Sequence, residues 1–293
     1  MRLFHEVLKQ GAEWLTAEVI LADNVLTAVD ESPDNQFWKD AGDFIIAPPF
    51  ETMLIEGRSA KTGISYLTQL EILEPERARS FIKSQRPGSI KIPDIAKWVY
   101  AIRCFVDKGK GMQSIPGSTF VSVDEHGKSL SRESFDTIIL PIDVPYLRQM
   151  QMSREDISVI TGNIVSFTFY VISLMNCKNV EKVETWFPRA EQRRLKKAIG
   201  GQPKNSYYIL QVKRSKRQQA AIDTQLGEKL DEAQRRQHIV RGHFKVYTEE
   251  SPLFGKYIGM WYWEPALRGN AALGVIDKDY EVDMPDEDMS HAG

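Results

Sequence analysis

Between Arg235 and Pro265 the chain reads RRQHIVRGHFKVYTEESPLFGKYIGMWYWEP, and two kinds of chemistry could use such a stretch. Histidine changes charge near neutral pH. His243, with Arg241 and Tyr247, has the ingredients of metal-independent phosphodiester cleavage, His243 acting as acid or base. Alternatively, Arg241 and Lys245 supply phosphate contacts while Tyr247, or an exposed tryptophan, stacks on an unpaired base. A metal fits poorly. His238 and His243 are five residues apart, an offset that separates them across a strand and turns them away from each other on a helix. Neither zinc-finger spacing nor H-E-x-x-H is present, so no metal and no cofactor is expected. Both functional readings compete with plain packing: a histidine beside an arginine is commonly a hydrogen-bonded sheet residue, and strand tryptophans are commonly core.

The elements that would position these residues follow from the pleat. If His238–Tyr247 is one strand, His238, Val240, Phe244 and Val246 share an apolar face, while Arg241, His243, Lys245 and Tyr247 share a basic, aromatic one. The return strand is Tyr257–Trp263, with Trp261 and Trp263 on one face and Met260 and Tyr262 on the other. TEESPLFGK between them reads as a hairpin loop turned by Pro252 and Gly255. Upstream, Arg189–Arg217 carries ten lysines and arginines against one acid, Glu191. Its last cations, Lys213, Arg214, Lys216 and Arg217, join Arg241, His243, Lys245 and Tyr247 as candidates for binding RNA or another partner. The opposite bias appears in Asp277–Asp288, with seven acids against Lys278.

The whole sequence, 293 residues with 42% hydrophobic and 27% charged side chains and a net charge of -2, is that of a globular chain able to bury a substantial core. Two cysteines, Cys104 and Cys177, fit a reducing compartment, and the charges in MRLFHEVLKQGAEWL argue against a signal peptide, so a cytoplasmic location is expected. Ile157–Cys177 carries no charge over twenty-one positions, near the roughly 20 that span a bilayer. Thr161, Asn163, Ser166, Thr168, Ser173 and Asn176 thread through it, so the expectation is a long buried helix from about Arg154 to Asn176, started by Ser153 and Asp156, and no membrane span.

Phe4, Val7, Leu8, Trp14 and Leu15 recur at helical spacing. Asp43–Ile55 holds two β-type runs broken by Pro48 and Pro49, which demote a strand there to an edge or a bend. Trp98–Val106 is a further apolar run, Thr119–Val123 and Ile138–Ile142 are expected strands flanking His126-Gly127, and Tyr207–Val212 is another. Gly109 and Gly111 form a turn, since the phosphate-loop spacing is missing, and Gln218–Gln237 reads as a polar surface loop. The fold class is α+β: a mixed or antiparallel sheet, a long buried central helix, and a C-terminal β-hairpin or meander. Charge sorting divides the chain into an α+β region over 1–180, a basic, aromatic, β-rich module over 181–276 and an acidic tail over 277–293, with a single domain as the alternative.

His238-Ile239-Val240-Arg241-Gly242-His243-Phe244, followed by Tyr247 and by Trp261, Trp263 and Pro265, resembles the C-terminal signature of a type V anti-CRISPR family. In that signature H-I-x-R-G-H-aromatic precedes an aromatic, basic strand and W-x-P; Val240 stands where it carries a second arginine. NCKNVE at Asn176–Glu181 and PLFGKYIG at Pro252–Gly259 are similar to phage and prophage proteins. The resemblance covers the last third of the chain. It implies a non-enzymatic protein acting in the bacterial host cytoplasm, where it lowers production of a host-defence protein by recognising the nascent chain and promoting loss of the messenger. RNA or a ribosome–nascent chain complex would be the partner. Two other classes stand beside it: a ribonuclease-like toxin working through His243, and a phage regulatory or structural interaction protein in which the aromatic stretch is core.

Overall fold

Trp98–Asp107, WVYAIRCFVD, is apolar on both sides of its pleat, as a strand covered on two faces must be. In the computed structural model it lies inside a mixed sheet. The structure describes residues 4, 7, 14, 16–30, 44–85, 91–130, 136–138, 153–199, 206–213, 236–240, 242–263, 266–268 and 270–275. The large sheet comprises β1 (Glu18–Leu21), β2 (Thr52–Arg58), β3 (Ser65–Leu73), β4 (Trp98–Asp107), β5 (Gln113–Ser114), β6 (Ser118–Val123), β7 (Asp136–Ile138), β8 (Val180–Trp186) and β9 (Ser206–Val212). Eight of these run in the order β7-β6-β4-β3-β2-β1-β9-β8, and β5 pairs with β4 besides. β1 is parallel to β2 and β9, whereas the remaining pairs are antiparallel. Four helices are described: α1 (Asp23–Asp30), α2 (Pro75–Gln85), α3 (Arg154–Asn176) and α4 (Arg189–Ile199).

Strand alternation explains how the layers form. Tyr100, Ile102, Cys104 and Val106 point to the face covered by α3, together with Ile20, Met53, Ile55 and Leu210. On the opposite face Leu54, Leu67 and Phe105 pack with Phe4, Val7, Phe187 and Leu195, and Val99 and Phe120 pack with Ala78 and Ile82 of α2. Phe4 and Val7 are helical, in keeping with the N-terminal spacing, and the buried Glu56 carboxylate accepts the Phe4 N–H at 2.9 Å.

α3 is long and apolar enough to cross a bilayer, with a mean hydropathy of 1.7, yet it packs against the sheet with Ile157, Phe167, Phe169 and Ile172 buried. Its polar residues are used internally. Thr168 Oγ1 donates to Ile164 O at 2.8 Å, which leaves the Thr68 hydroxyl to donate to it across the 2.7 Å helix–sheet contact. Ser173 Oγ and Asn176 Nδ2 both donate to Ile45 O at 3.1 Å, and Asn176 also reaches Ala47 O at 2.9 Å. Those bonds hold the irregular segment at 44–50, where the sequence suggests a first β-type run. β2 starts beyond both prolines, at Thr52, and is therefore free to sit between β1 and β3 rather than at an edge.

β6 pairs with β7 from Ser118↔Ile138 to Phe120↔Asp136, and Gly127 turns between them at φ +79. Residues 139–142, the rest of that expected strand, lie outside the described residues. The Asp107 carboxylate accepts the N–H groups of Gly109 and Gly111 at 2.7 and 3.0 Å, which makes the KGKG segment a turn. Two smaller sheets follow: β10 (Arg236–Val240) with β13 (Ala266–Arg268) and β14 (Asn270–Val275), and β11 (His243–Tyr247) with β12 (Gly259–Trp263). The chain forms two compact units, Met1–Lys213 with Phe244–Tyr262, and Arg214–His243 with Trp263–Gly293. The fold is thus α+β, with a mixed sheet, a long buried helix and a two-stranded antiparallel C-terminal sheet. Of the expected loop Gln218–Gln237, residues 218–235 lie outside the described residues, as does the acidic tail 277–293.

Candidate RNA-contacting surface

One strand over His238–Tyr247 is not formed. β10 ends at Val240 and β11 begins at His243, and they belong to different sheets, so the alternation that set His238 opposite His243 does not carry across the break. Gly242 lies in that break and lacks the side chain that would favour extension. Inside β11 the pleat partly holds. Phe244 turns inward, its ring 5.7 Å from Phe44, 5.2 Å from Tyr170 and 5.3 Å from Tyr262. His243 and Lys245 are exposed, but Val246, expected on the apolar face, is 50% exposed. On β12 the expected division is found: Met260 and Tyr262 are buried in the core and Trp261 is half-buried.

The hairpin is fastened to the end of α3. Lys178 N–H donates to Met260 O at 2.8 Å. The Asn179 side chain brackets Tyr262, donating to its carbonyl at 2.7 Å and accepting its N–H at 2.9 Å. Tyr170 OH donates to Tyr262 OH at 2.8 Å. Gly259, at φ +112, lies so close that a Cβ there would come within 3.0 Å of Lys178 Cε. NCKNVE and PLFGKYIG, far apart in sequence, therefore meet in space.

With the apolar side committed to the core, the other side presents cations and rings. Lys245 Nζ stands 5.0 Å from the Tyr247 ring centroid, and Lys256 Nζ stands 4.8 Å from that of Tyr257. Tyr257 meets Trp261 edge-on at 5.6 Å, and the buried Trp261 Nε1–H has no acceptor among the described residues. Glu249 and Glu250 are exposed in the same loop, so its charge is mixed. The turn at the tip is closed by Leu253 and Tyr257, which exchange both backbone hydrogen bonds at 2.8 and 3.0 Å. This turn holds Phe254 outward, 79% exposed.

Of the candidates read from sequence, Lys245 and Tyr247 come together, with His243 on the same strand. Lys213 lies at the end of β9, its N–H on Asn179 O at 2.6 Å and its ammonium paired with Glu181 at 3.3 Å, so its charge is shared. Arg214, Lys216, Arg217 and Arg241 lie outside the described residues. Lys256 and Tyr257 were not among the candidates, because Lys256 falls in the expected hairpin loop and Tyr257 opens the expected return strand; the adjacent Lys-Tyr pair was the available signal. Burial pushes the Cys104 and Cys177 thiols up to about 12, which makes them inert rather than nucleophilic. Among the described residues no group of three or more His, Cys, Asp or Glu side chains is arranged to hold a metal ion. No protein-family model matches the chain, and no curated protein matches it in sequence.

Proposed function

We propose that this chain is a phage or prophage anti-defence protein of anti-CRISPR-like action. It works without catalysis in the bacterial host cytoplasm and represses expression of a host-defence protein through contact with RNA or a ribosome–nascent chain complex. The observation that carries the reading is the division of labour in the β11–β12 hairpin. Phe244, Met260 and Tyr262 satisfy the core. Packing then has no further need of the two lysine–tyrosine pairs, whereas an unpaired base and its phosphates would use both members of each. The junction of NCKNVE with PLFGKYIG adds to it, because the two stretches that resemble phage proteins form one structural piece.

The test uses cells that express a type V CRISPR effector as the reporter. Parent protein should lower both the effector and its messenger and should crosslink to RNA. A Lys245→Glu/Lys256→Glu variant of unchanged melting temperature should lose both effects. Unaltered effector levels together with no crosslinked RNA would sink the proposal. Cleavage of naked RNA by the purified chain, abolished by His243→Ala, would replace it with the ribonuclease reading.

A further inference from the structure

β8 forms one end of the large sheet and finishes on Trp186, which is 66% exposed. The next residue goes the other way: Phe187 is buried, 5.3 Å from the Phe4 ring and 4.8 Å from that of Tyr207. Pro188 O then accepts the N–H groups of Glu191 and Gln192 at 2.8 and 3.0 Å, and Gln192 Nε2 donates to Phe187 O at 2.6 Å. The backbone that carries Trp186 into α4 is thus fixed from both sides.

Along α4, Leu195 is the buried anchor. Arg189, Arg193, Lys196 and Lys197 recur at intervals that place them away from Leu195, and these four and Arg194 are all exposed. The stripe runs for about 12 Å along the helix at a rise of 1.5 Å per residue. None of the five cations is in an ion pair with another described residue. The nearby acids are fewer: Glu191 is half-buried on the Leu195 side, Glu181 is paired with Lys213, and Glu184, exposed two residues before Trp186, keeps its charge while accepting Ser206 Oγ at 2.6 Å. A solitary exposed tryptophan needs no explanation. One held rigid at the head of five exposed cations offers a stacking platform with phosphate contacts beside it.

We infer that Trp186 and the outer face of α4 bind a single-stranded RNA segment, Trp186 stacking on an unpaired base while Arg189, Arg193, Lys196 and Lys197 contact the flanking phosphates. This rests on the reading of the chain as an RNA-contacting protein and gives it a second surface besides the β11–β12 hairpin. The full chain is titrated, by fluorescence anisotropy, against a labelled oligouridine strand and a duplex RNA of equal length. The single strand should bind more tightly. Trp186→Ala should weaken it about 5- to 150-fold, the range for loss of one stacked base. Arg193→Glu/Lys197→Glu should reduce the salt slope by about 1.4 or more, ~0.7 for each phosphate released. All variants should melt with the parent. Binding that survives both α4 changes overturns the inference, and if Lys245→Glu/Lys256→Glu abolishes that binding, the hairpin reading stands alone. Loss confined to the α4 variants supports the inference and removes the hairpin from RNA contact. Equal binding of duplex, unaffected by Trp186→Ala, also overturns it, and a parent that binds neither RNA overturns both readings.

Discussion

Phe254 holds φ at +53, the left-handed region that an L side chain enters at a penalty of roughly 1–2 kcal/mol. Its ring lies 79% exposed, so burial returns little of that. Phe254→Gly removes the strain but adds freedom to the unfolded chain, worth about 0.5–1 kcal/mol in the other direction. Stability read from the denaturation midpoint is therefore expected to stay level or rise by up to about 1.5 kcal/mol; a fall of more than about 1 kcal/mol would mean that the ring supports the fold. If the midpoint holds, the ring serves contact rather than stability. At this scale the sequence conveyed residue types well and geometry poorly. Lys256 beside Tyr257 is visible in PLFGKYIG, but only the tight Leu253–Tyr257 turn makes the pair part of a surface. A turn at positive φ is readable when glycine occupies it, as at Gly255, and hidden when phenylalanine precedes it.

At the scale of elements, the contact between α3 and the sheet is set by a missing side chain. A Cβ on Gly57 of β2 would lie 2.9 Å from Phe167 Cζ and 3.3 Å from Leu26 Cδ2, so the helix approaches the sheet only because nothing projects there. Gly57→Ala is expected to destabilise the protein by about 1–3 kcal/mol, the usual penalty of an overpacked core, and Phe167→Leu in the same chain should restore part of it. Chemical denaturation of the three variants reads this directly, and additive losses would show that the two sites do not touch. α3 itself was readable because an uncharged run of that length between a hydroxyl start and a charged connection has few alternatives. β4 and β9 were readable for the same reason, as short apolar runs with β-branched and aromatic residues. The break between β10 and β11 was not. Alternation is a local rule, and it continues on paper through Arg241-Gly242 although the two halves pair with different strands. The return strand β12 is visible across its hairpin loop and joins the His243–Tyr247 half, whereas β13 and β14, which pair with the other half, carry no marker of that choice.

For the whole molecule, composition and contact divide the chain differently. Charge sorting sets off a basic, aromatic module beginning near residue 181, but β8 and β9, both beyond that point, belong to the large sheet, where Ile20 of β1 pairs with Tyr208 of β9. The β11–β12 hairpin, later still, buries Phe244, Met260 and Tyr262 with Phe44 and Tyr170 and hangs on Asn179. The first compact unit accordingly takes in Met1–Lys213 and returns to collect Phe244–Tyr262. A fragment of residues 181–293 would leave β9 without β1 and the hairpin rings without α3, exposing apolar surface worth about 25 cal/mol for each Å². That fragment, expressed alone, is expected to show neither dispersed amide resonances nor a cooperative melt, and co-expression with residues 1–180 should recover both by completing the sheet. A cooperative melt from the isolated fragment would mean that its strands pair among themselves. It would also allow the surfaces proposed to contact RNA to be studied apart from the core that holds Trp186 and Lys245 in place.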